Sequence, residues 1–259
     1  MKIYFLGTCS GTEPMPGRHH ASVAVECGGK VYFFDAGESC SHTAYNLGID
    51  FRALTKVIIS HPHIDHFGGL ANLLWVTRKL YSRTKLLPYY GDIDVYIPDM
   101  EIWGAVDTLL NIGSKRYGKT FDAFRIHAHG VQAGVLFDDG TLKVTAFENQ
   151  HIPFVDGKCQ SFSYLLEGEG KRVVYSGDVK SPFELSEAVG DRCDLMTMET
   201  GHHKIETIYD FFAEKNIDAL YFTHHGRTIL ENEEACKEQI KELFGGKAFV
   251  ACDGLTVEI

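Results

Sequence analysis

The stretch Ser60-His61-Pro62-His63-Ile64-Asp65-His66-Phe67-Gly68-Gly69 carries three imidazoles and one carboxylate within six residues. It directly follows residues 56–60, a β-branched and nearly all-apolar run that predicts a strand buried on both faces. Imidazole and carboxylate are suitable ligands for zinc and related divalent metals, and a loop that leaves a strand can turn several side chains toward one point. The alternative is a solvated histidine-rich turn. We expect a metal site here, and the cluster is large enough to hold two neighbouring ions.

The composition is typical of a globular protein, with 44% hydrophobic and 23% charged residues in 259. No run approaches the ~18 consecutive apolar residues of a membrane-spanning helix, and the N-terminus shows no basic region or cleavage site. The seven cysteines are scattered and never spaced Cys-x-x-Cys, which indicates free thiols. We therefore expect a soluble, cytoplasmic protein. The net charge of -10 argues against a large nucleic-acid-binding surface, although a local basic groove stays open.

The strand-like segments fall into two groups, each joined to helical segments, and a Gly28-Gly29 turn predicts a hairpin in the first group. Two such groups predict two sheets packed together with helices outside. No repeat or linker interrupts the chain, so we expect residues 1–259 to form one domain. The predicted strands are 2–6, 21–27, 31–35, 56–60, 94–98, 125–129, 141–148, 161–167, 172–176, 195–199, 219–223 and 248–251, and the predicted helices are 41–47, 69–81, 100–112, 183–189, 205–215 and 231–244.

The motif His61-x-His63-x-Asp65-His66 resembles the His-x-His-x-Asp-His signature of the metallo-β-lactamase superfamily. Three later segments match the order in which that family supplies its remaining ligands, and each lies at the end of a predicted strand. They are Asn149-Gln-His151-Ile-Pro153, Tyr175-Ser-Gly-Asp178 and Tyr221-Phe-Thr-His224-His225. The resemblance covers nearly the whole chain. It implies an α/β (α+β) fold, a four-layer αββα sandwich with a dinuclear site at one edge of the paired sheets.

The resemblance also implies which side chains would bind which ion. The bound ions would be divalent, with zinc preferred and manganese or iron as alternatives. Asp178 would bridge them through a hard oxygen, and because members with cysteine in that position tend toward lactam hydrolysis, a β-lactamase activity is disfavoured. Two ions ~3.5 to 4 Å apart suit phosphodiester hydrolysis, and Asp65 could also deprotonate the attacking water. The implied ligands are His61, His63 and His151 for one ion, Asp65, His66 and His224 for the other, and Asp178 for both.

Two further segments are similar to ribonuclease Z and its phosphodiesterase relatives: the Gly/Pro-rich loop in residues 6–22, and Phe34-Asp35-Ala-Gly-Glu38. By this resemblance Asp35 would be a buried carboxylate that orients a ligand histidine, since metal-bound imidazoles usually need such partners. The alternative is an ordinary turn residue that ends a strand. In the loop, Arg18, His19 and His20 could bind a phosphate or could be structural.

A proton donor is the next implied residue. In ribonuclease Z a histidine about two dozen residues before the last ligand is implicated in protonating the leaving group, and His202 has that spacing, with Glu199 as a nearby partner. His203 is the competing choice, and a capping or surface role for either stays open.

Three other histidines and two arginines are less certain in role. His224 is favoured over His225 as the ligand because Thr223-His224 matches the family's last motif, which leaves His225 and Arg227 as possible substrate contacts. The segment Arg125-Ile-His127-Ala-His129 is expected to be structural, because its histidines share a strand face with no carboxylate nearby.

The segment near 75–124 carries most of the remaining aromatic and basic residues, and we expect it to shape the substrate pocket. Ribonuclease Z has a Gly/Pro-rich arm there that grips tRNA, and this chain has no such arm. The missing arm and the excess of acidic over basic residues together favour a small-molecule or nucleotide phosphodiester as substrate over tRNA. No membrane association is expected.

Other functions stay open. Ribonuclease Z proper would need strong, salt-dependent RNA binding. A thioester or lactone hydrolase would carry a His-Thr-x-Gly-His motif, whereas this chain has His151-Ile-Pro-Phe-Val155. The last alternative is not hydrolytic: it is a metal-binding module without turnover, or a di-iron redox centre, which would normally need a flavin-bearing partner or domain that we do not find. A homodimer is expected only from the family resemblance.

Overall fold

The computed structural model describes residues 1–11, 15–84, 91–117 and 124–259. Its first sheet has seven strands in the order β14-β1-β2-β3-β4-β5-β6. Strands β1 to β3 and β14 pair antiparallel, while β3 to β6 run parallel, so the carboxyl ends of β3 to β6 share one edge. These strands are β1 (Lys2–Gly7), β2 (Ser22–Cys27), β3 (Lys30–Phe34), β4 (Leu54–Ile58), β5 (Ile93–Ile97), β6 (Ile126–Gly130) and β14 (Thr256–Glu258).

The second sheet also has seven strands, in the order β13-β12-β11-β10-β9-β8-β7. Here β10 to β13 run parallel to one another. Strand β9 pairs antiparallel with both β10 and β8, so β8 runs in the same direction as β10. These strands are β7 (Gly134–Asp138), β8 (Lys143–Glu148), β9 (Phe162–Gly168), β10 (Lys171–Tyr175), β11 (Cys193–Glu199), β12 (Ile217–Thr223) and β13 (Ala248–Val250).

Helices cover the outer faces of the two sheets. The helices are α1 (Cys40–Asn46), α2 (Ile64–Phe67), α3 (Leu70–Thr84), α4 (Met100–Tyr117), α5 (Ser186–Val189), α6 (Ile205–Ala213), α7 (Arg227–Glu231) and α8 (Glu233–Leu243). Leu73 of α3 is fully buried against the first sheet, and Phe211 of α6 is buried against the second. No helix in the described ranges is both long and apolar enough to cross a membrane.

A third hydrophobic cluster lies between the sheets and joins them. It contains Phe34 of β3 and Tyr164 of β9, whose ring centroids are 6.0 Å apart. Burial of such large side chains contributes most of the folding free energy of a sandwich. The four predicted layers, helices, sheet, sheet and helices, are therefore confirmed.

Most predicted elements are present, and the differences have physical reasons. The Gly28-Gly29 hairpin joins β2 to β3, and both glycines adopt the positive φ values, 54° and 78°, that such turns favour. Two edge strands, β7 and β14, were not predicted, because edge strands are short and half solvated and lose the apolar signal of a buried strand. The helix predicted for 231–244 corresponds to α8, which begins at Glu233, and the short helix α7 before Asn232 was not predicted.

The seven thiols are all free, and Cys252 alone is exposed.

Candidate metal centre

The fold brings the carboxyl ends of β4, β8, β10, β11 and β12 to the same edge of the molecule. In sheets with parallel strands this edge is the usual location of ligand sites, because the loops leaving the strands converge there. His61 and His63 follow β4, and the short helix α2 then begins after His63. One turn of helix directs Asp65 and His66 inward, where both are buried, while Ile64 between His63 and Asp65 is 67% exposed.

Five imidazole nitrogens surround one oxygen of the buried Asp178 carboxylate. Their distances to Oδ2 are 3.5 to 3.8 Å, too long for hydrogen bonds. Two atoms that bind the same metal ion lie at roughly such separations, because each metal–ligand bond is about 2 Å long. The five nitrogens are Nε2 of His61, His66, His151 and His224, and Nδ1 of His202.

The seven side chains predicted as metal ligands lie together. They form two groups that meet in space, and within each group the candidate ligand atoms lie within 4.8 Å of one another. The groups are His61, His63, His151 and Asp178, and Asp65, His66 and His224. A third group, Asp178, Glu199, His202 and His224, meets the same criterion, so Glu199 and His202 border the centre directly.

Unpaired buried atoms show that the donor set fits divalent cations. In the described part of the chain, Nε2 of His66 and Oδ1 of Asp178 are buried without a hydrogen-bond partner. Buried polar atoms are normally paired, so each such exception calls for an explanation. The nitrogen of a neutral imidazole and a carboxylate oxygen are both electron-pair donors, which suits a bound cation. When bound, two such ions would supply an activated water and a clamp for developing negative charge.

Asp35 fixes the orientation of the predicted ligand His66 by bonding Nδ1 of its ring. This fully buried residue lies just after β3, with a left-handed φ of 59°. Its carboxylate accepts four hydrogen bonds of 2.6 to 2.7 Å: from Nδ1 of His66, from the backbone N–H and hydroxyl of Ser60, and from the hydroxyl of Tyr175. With Nδ1–H donating to Asp35, Nε2 of His66 is left free for a metal. This arrangement agrees with the orienting role expected for Asp35.

The pKa values of the buried histidines His61 and His66 shift in opposite directions. Burial lowers the pKa of His61 well below its ordinary value, and the nearby His66 lowers it further. Burial also opposes a cation on His66, but the carboxylates of Asp178 and Asp35 outweigh it and raise the pKa of His66 well above its ordinary value. For Asp178, burial raises the pKa, but the imidazoles of His224 and His66 lower it well below the usual range. Metal binding at Nε2 of His66 would displace a proton held there.

The structure distinguishes between His202 and His203. Nδ1 of His202 lies 3.2 Å from Oε1 of the buried Glu199, and its side chain is 43% exposed at the mouth of the centre. The bond to Glu199 raises the pKa of His202. The side chain of His203 is only 8% exposed, and its Nε2 donates to the carbonyl of Val179 and contacts Glu199 at 3.1 Å. His202 faces the centre and His203 faces the protein interior.

Two suggested substrate contacts belong to the folded framework instead. His225 is fully buried; its Nε2 lies 2.9 Å from the carbonyl of Ala251, and its Nδ1 lies 3.0 Å from the hydroxyl of Thr200. Arg18 donates to the carbonyl of Ala251 and pairs with Glu233 at 2.8 Å. Both side chains hold the opening loop against the second sheet and are not available to a phosphate.

The histidines of β6 lie beside carboxylates, contrary to expectation. Nε2 of His127 is 2.9 Å from Asp92, and Nε2 of His129 is 2.9 Å from Asp94, both near the adjacent strand β5. These partners could not be predicted from the sequence, because the parallel strands bring together residues that are about 35 positions apart in the chain. The pairs are half exposed and cross-strand, which agrees with the structural role expected for them.

Tyr175 and Gly11 were not predicted as parts of the site. Tyr175 reaches Asp35 across the two sheets, and no sequence pattern marks such a contact. A side chain at Gly11 would place Cβ 2.5 Å from the carboxylate carbon of Asp65, so the opening loop packs directly on a predicted ligand.

The expected pocket segment near 75–124 is described only in part. Lys85, Tyr89, Tyr90 and Lys119 lie outside the described residues.

The chain resembles known proteins over its full length. Ribonuclease Z from Archaeoglobus fulgidus is 24% identical over 315 aligned positions that cover 100% of this chain and 97% of that protein. The human short-form tRNase Z structure (ELAC1) covers 100% of this chain and 99% of its own, at 19% identity and a TM-score of 0.71. The metallo-beta-lactamase fold protein YhfI from Bacillus subtilis covers the same shares at 17% identity and a TM-score of 0.75.

These structural matches confirm the metallo-β-lactamase fold expected from the sequence. One family model, described as anti-Pycsar protein Apyc1, matches residues 1–240, which is most of the chain. With its fold, its edge-located cluster of histidines and aspartates and this match, the chain belongs to the anti-Pycsar protein Apyc1 family.

Proposed function

We propose that the protein is a metal-dependent hydrolase that cleaves a phosphodiester bond with two divalent ions, zinc first among them. The observation that carries this proposal is the convergence of five imidazole nitrogens on one oxygen of Asp178. The full-length relatives named ribonuclease Z support phosphodiester chemistry. In this proposal His61, His63 and His151 would hold one ion, Asp65, His66 and His224 would hold the other, and Asp178 would be shared between them.

The residues around the centre divide the proton transfers between them. Asp65 lies 3.1 Å from Nε2 of His224 at the inner side of the centre, where its carboxylate would orient the attacking water. His202, held by Glu199, donates a proton to the leaving oxygen as the phosphorus–oxygen bond breaks. The hydrogen bond to Glu199 raises the pKa of His202, which favours the protonated form that this role requires. Nε2 of His203 bonds the carbonyl of Val179, and in this proposal His203 takes no part in the proton transfers.

The direct test is hydrolysis of bis(p-nitrophenyl) phosphate by protein stripped with chelator and then reloaded separately with zinc, manganese or iron. We expect about two ions per chain by elemental analysis and turnover that returns only with metal. A thioester and a lactone substrate serve as comparisons. Two bound ions without phosphodiester turnover would contradict the proposal and shift the weight to the thioester or lactone alternative.

Transfer RNA 3′-end processing is the second candidate, favoured by the name of the full-length relatives. It predicts cleavage of a tRNA precursor with affinity that falls steeply as salt rises. The net charge of -10 favours the smaller substrate. Cleavage of the precursor at rates far above those for small diesters would decide for this candidate.

A homodimer and a cytoplasmic location stay predictions. Light scattering coupled to size exclusion tests the first, and the free thiols support a reducing compartment for the second.

A further inference from the structure

A half-buried carboxylate that the proposed reaction does not use, Asp253, lies three residues after β13 and closes the base of the loop between β1 and β2. Its Oδ1 accepts from the hydroxyl of Thr8 at 2.6 Å, and its Oδ2 accepts from the backbone N–H of His19 at 2.6 Å. Thr8 directly follows β1, and His19 lies shortly before β2. One carboxylate therefore joins the two stems of this loop, residues 8–11 and 15–20.

The guanidinium of Arg18 fixes the direction of these hydrogen bonds. Its Nη1 donates to the buried hydroxyl of Thr8 at 2.7 Å, so the proton of that hydroxyl is directed to Asp253. The same Nη1 donates to the carbonyl of Ala251, and Nη2 pairs with Glu233. Hydrogen bonds with an ionised partner are about twice as strong as neutral ones, which makes this network a firm clamp on the loop.

Both stems of the loop pack on the predicted metal ligand Asp65. On the first stem, a Cβ at Gly11 would lie 2.5 to 2.8 Å from the three carboxylate atoms of Asp65. On the second stem, the backbone of His20 packs on Gly37, where a Cβ would collide with both His20 and the carbonyl of Asp65. Close-packed interiors transmit small displacements, so a shift of either stem must move Asp65.

We propose that Asp253 is a positioning residue for the metal ion at Asp65, His66 and His224, and that it acts through the loop between β1 and β2. In the described part of the chain, its hydrogen bonds go to the loop stems. A metal-binding constellation must be held to within about 0.5 Å, which a loop joined at both stems provides. The inference rests on the proposed function, because it assumes that Asp65 binds a metal ion.

Asp253→Asn tests the clamp. The amide keeps the size of the side chain but has one accepting oxygen for two donors, so one stem is released. We expect the affinity of one zinc-binding step to fall about tenfold while the other stays within about twofold, because only one ion depends on Asp65. Competition with a chromophoric chelator measures both steps. His63→Ala removes a ligand of the other ion and so identifies the step that should not change.

Asp139→Asn is the matched control. Asp139 also accepts from a hydroxyl, that of Tyr32, and from the backbone N–H groups of Thr141 and Leu142. It lies before the start of β8, at the opposite end of that strand from the candidate ligand that follows it. We expect both zinc-binding steps of this variant to match those of the wild-type protein.

Two changes at Thr8 test the hydroxyl alone and carry the test if Asp253→Asn does not fold. Thr8→Val removes the hydroxyl and should lower the affinity of the same zinc-binding step about tenfold, whereas Thr8→Ser keeps the hydroxyl and should retain the wild-type affinity. Gly11→Ala already displaces the Asp65 carboxylate. Adding Thr8→Val to it should therefore cost less than the product of the two single effects.

Equal losses in both zinc-binding steps, equal affinities of Asp253→Asn and Asp139→Asn, or equal affinities of Thr8→Val and Thr8→Ser would overturn the inference. Zinc binding without diester turnover would contradict the proposed function alone, since the readout here is metal affinity. If the wild-type protein binds no metal, hydrogen–deuterium exchange of the metal-free protein decides. Faster exchange of residues 61–69 in Asp253→Asn than in Asp139→Asn would support the coupling, and equal exchange would refute it.

Discussion

The carboxylate of Asp35 is one buried charge that accepts four hydrogen bonds, and only one of its donors is a candidate metal ligand. Three donors, from Ser60 and Tyr175, fix the carboxylate, and the carboxylate then fixes the ring of His66. Partners of this kind usually change metal affinity by about 10- to 100-fold when they are removed. A hydroxyl from the opposite sheet thus influences the metal centre without touching it.

Tyr175→Phe removes that hydroxyl and keeps the ring. We expect the affinity for the metal ion at Asp65, His66 and His224 to fall by about tenfold, because Asp35, which orients His66, loses a hydrogen bond. Competition with a chromophoric chelator measures the affinity. Tyr32→Phe is the matched control, since Tyr32 is equally buried but donates to Asp139 away from the centre. Equal affinities of the two variants would contradict the role of Tyr175.

His202→Ala tests the proton donor. We expect both metal ions to remain bound while kcat falls by about 10²- to 10⁴-fold on a substrate with a poor leaving group, since such a group needs protonation. A p-nitrophenyl substrate, whose leaving group needs no proton, should lose far less. His203→Ala is the comparison, because His203 shares Glu199 but faces inward. Full activity of the His202 variant on both substrates would move the acid role to solvent.

At the scale of elements, the strand ends that carry ligands could be predicted because each motif is local. The segment 60–69 contains four candidate ligands on one loop and one helical turn. Its metal-binding chemistry can therefore be predicted without knowing the fold. The partners of those ligands are not local. Tyr175 meets Asp35, and His127 meets Asp92, only because of strand order and the packing of the sheets. The two roles left open for Arg18 could not be separated from the sequence for the same reason, since its partner Glu233 lies near the other end of the chain.

The loop between β1 and β2 supports a testable contact. Gly11→Ala would place a methyl carbon about 2.5 to 2.8 Å from the carboxylate atoms of Asp65, so the carboxylate must move. We expect weaker metal binding and at least tenfold lower activity, because a displacement of about 1 Å at a reacting group is costly.

Gly104→Ala in α4 is the control for the glycine change. Apart from its chain neighbours and the nearby backbone of its own helix, no described atom lies within 4 Å of the new methyl. We expect Gly104→Ala to stabilise the protein by about 0.5 to 1 kcal/mol without affecting metal binding. Urea unfolding and metal titration measure both effects. Normal metal affinity in the Gly11 variant would show that the loop adapts.

At the scale of the whole molecule, His225 joins elements that are far apart in sequence. Its backbone N–H donates to the carbonyl of Thr8 beside β1, its carbonyl accepts from Ser10, and its ring bonds the carbonyl of Ala251 after β13. The opening loop of the first sheet is thereby held on the parallel strands of the second. With Nε2–H donating to a carbonyl, Nδ1 lies 3.0 Å from the Thr200 hydroxyl, which can donate to the neutral ring.

This position makes the stability of the metal-free protein depend on pH. Burial lowers the pKa of His225 from 6.5 to about 4, so between these values the unfolded chain binds the proton that the folded chain excludes. Its contribution is fully present above pH 6.5 and is lost as the pH falls toward 4. Between pH 7 and pH 5 the wild-type protein should therefore lose about 2 kcal/mol more unfolding free energy than His225→Asn. Urea unfolding at both pH values measures the difference, and parallel losses in the two proteins would mean that His225 is protonated in the folded state.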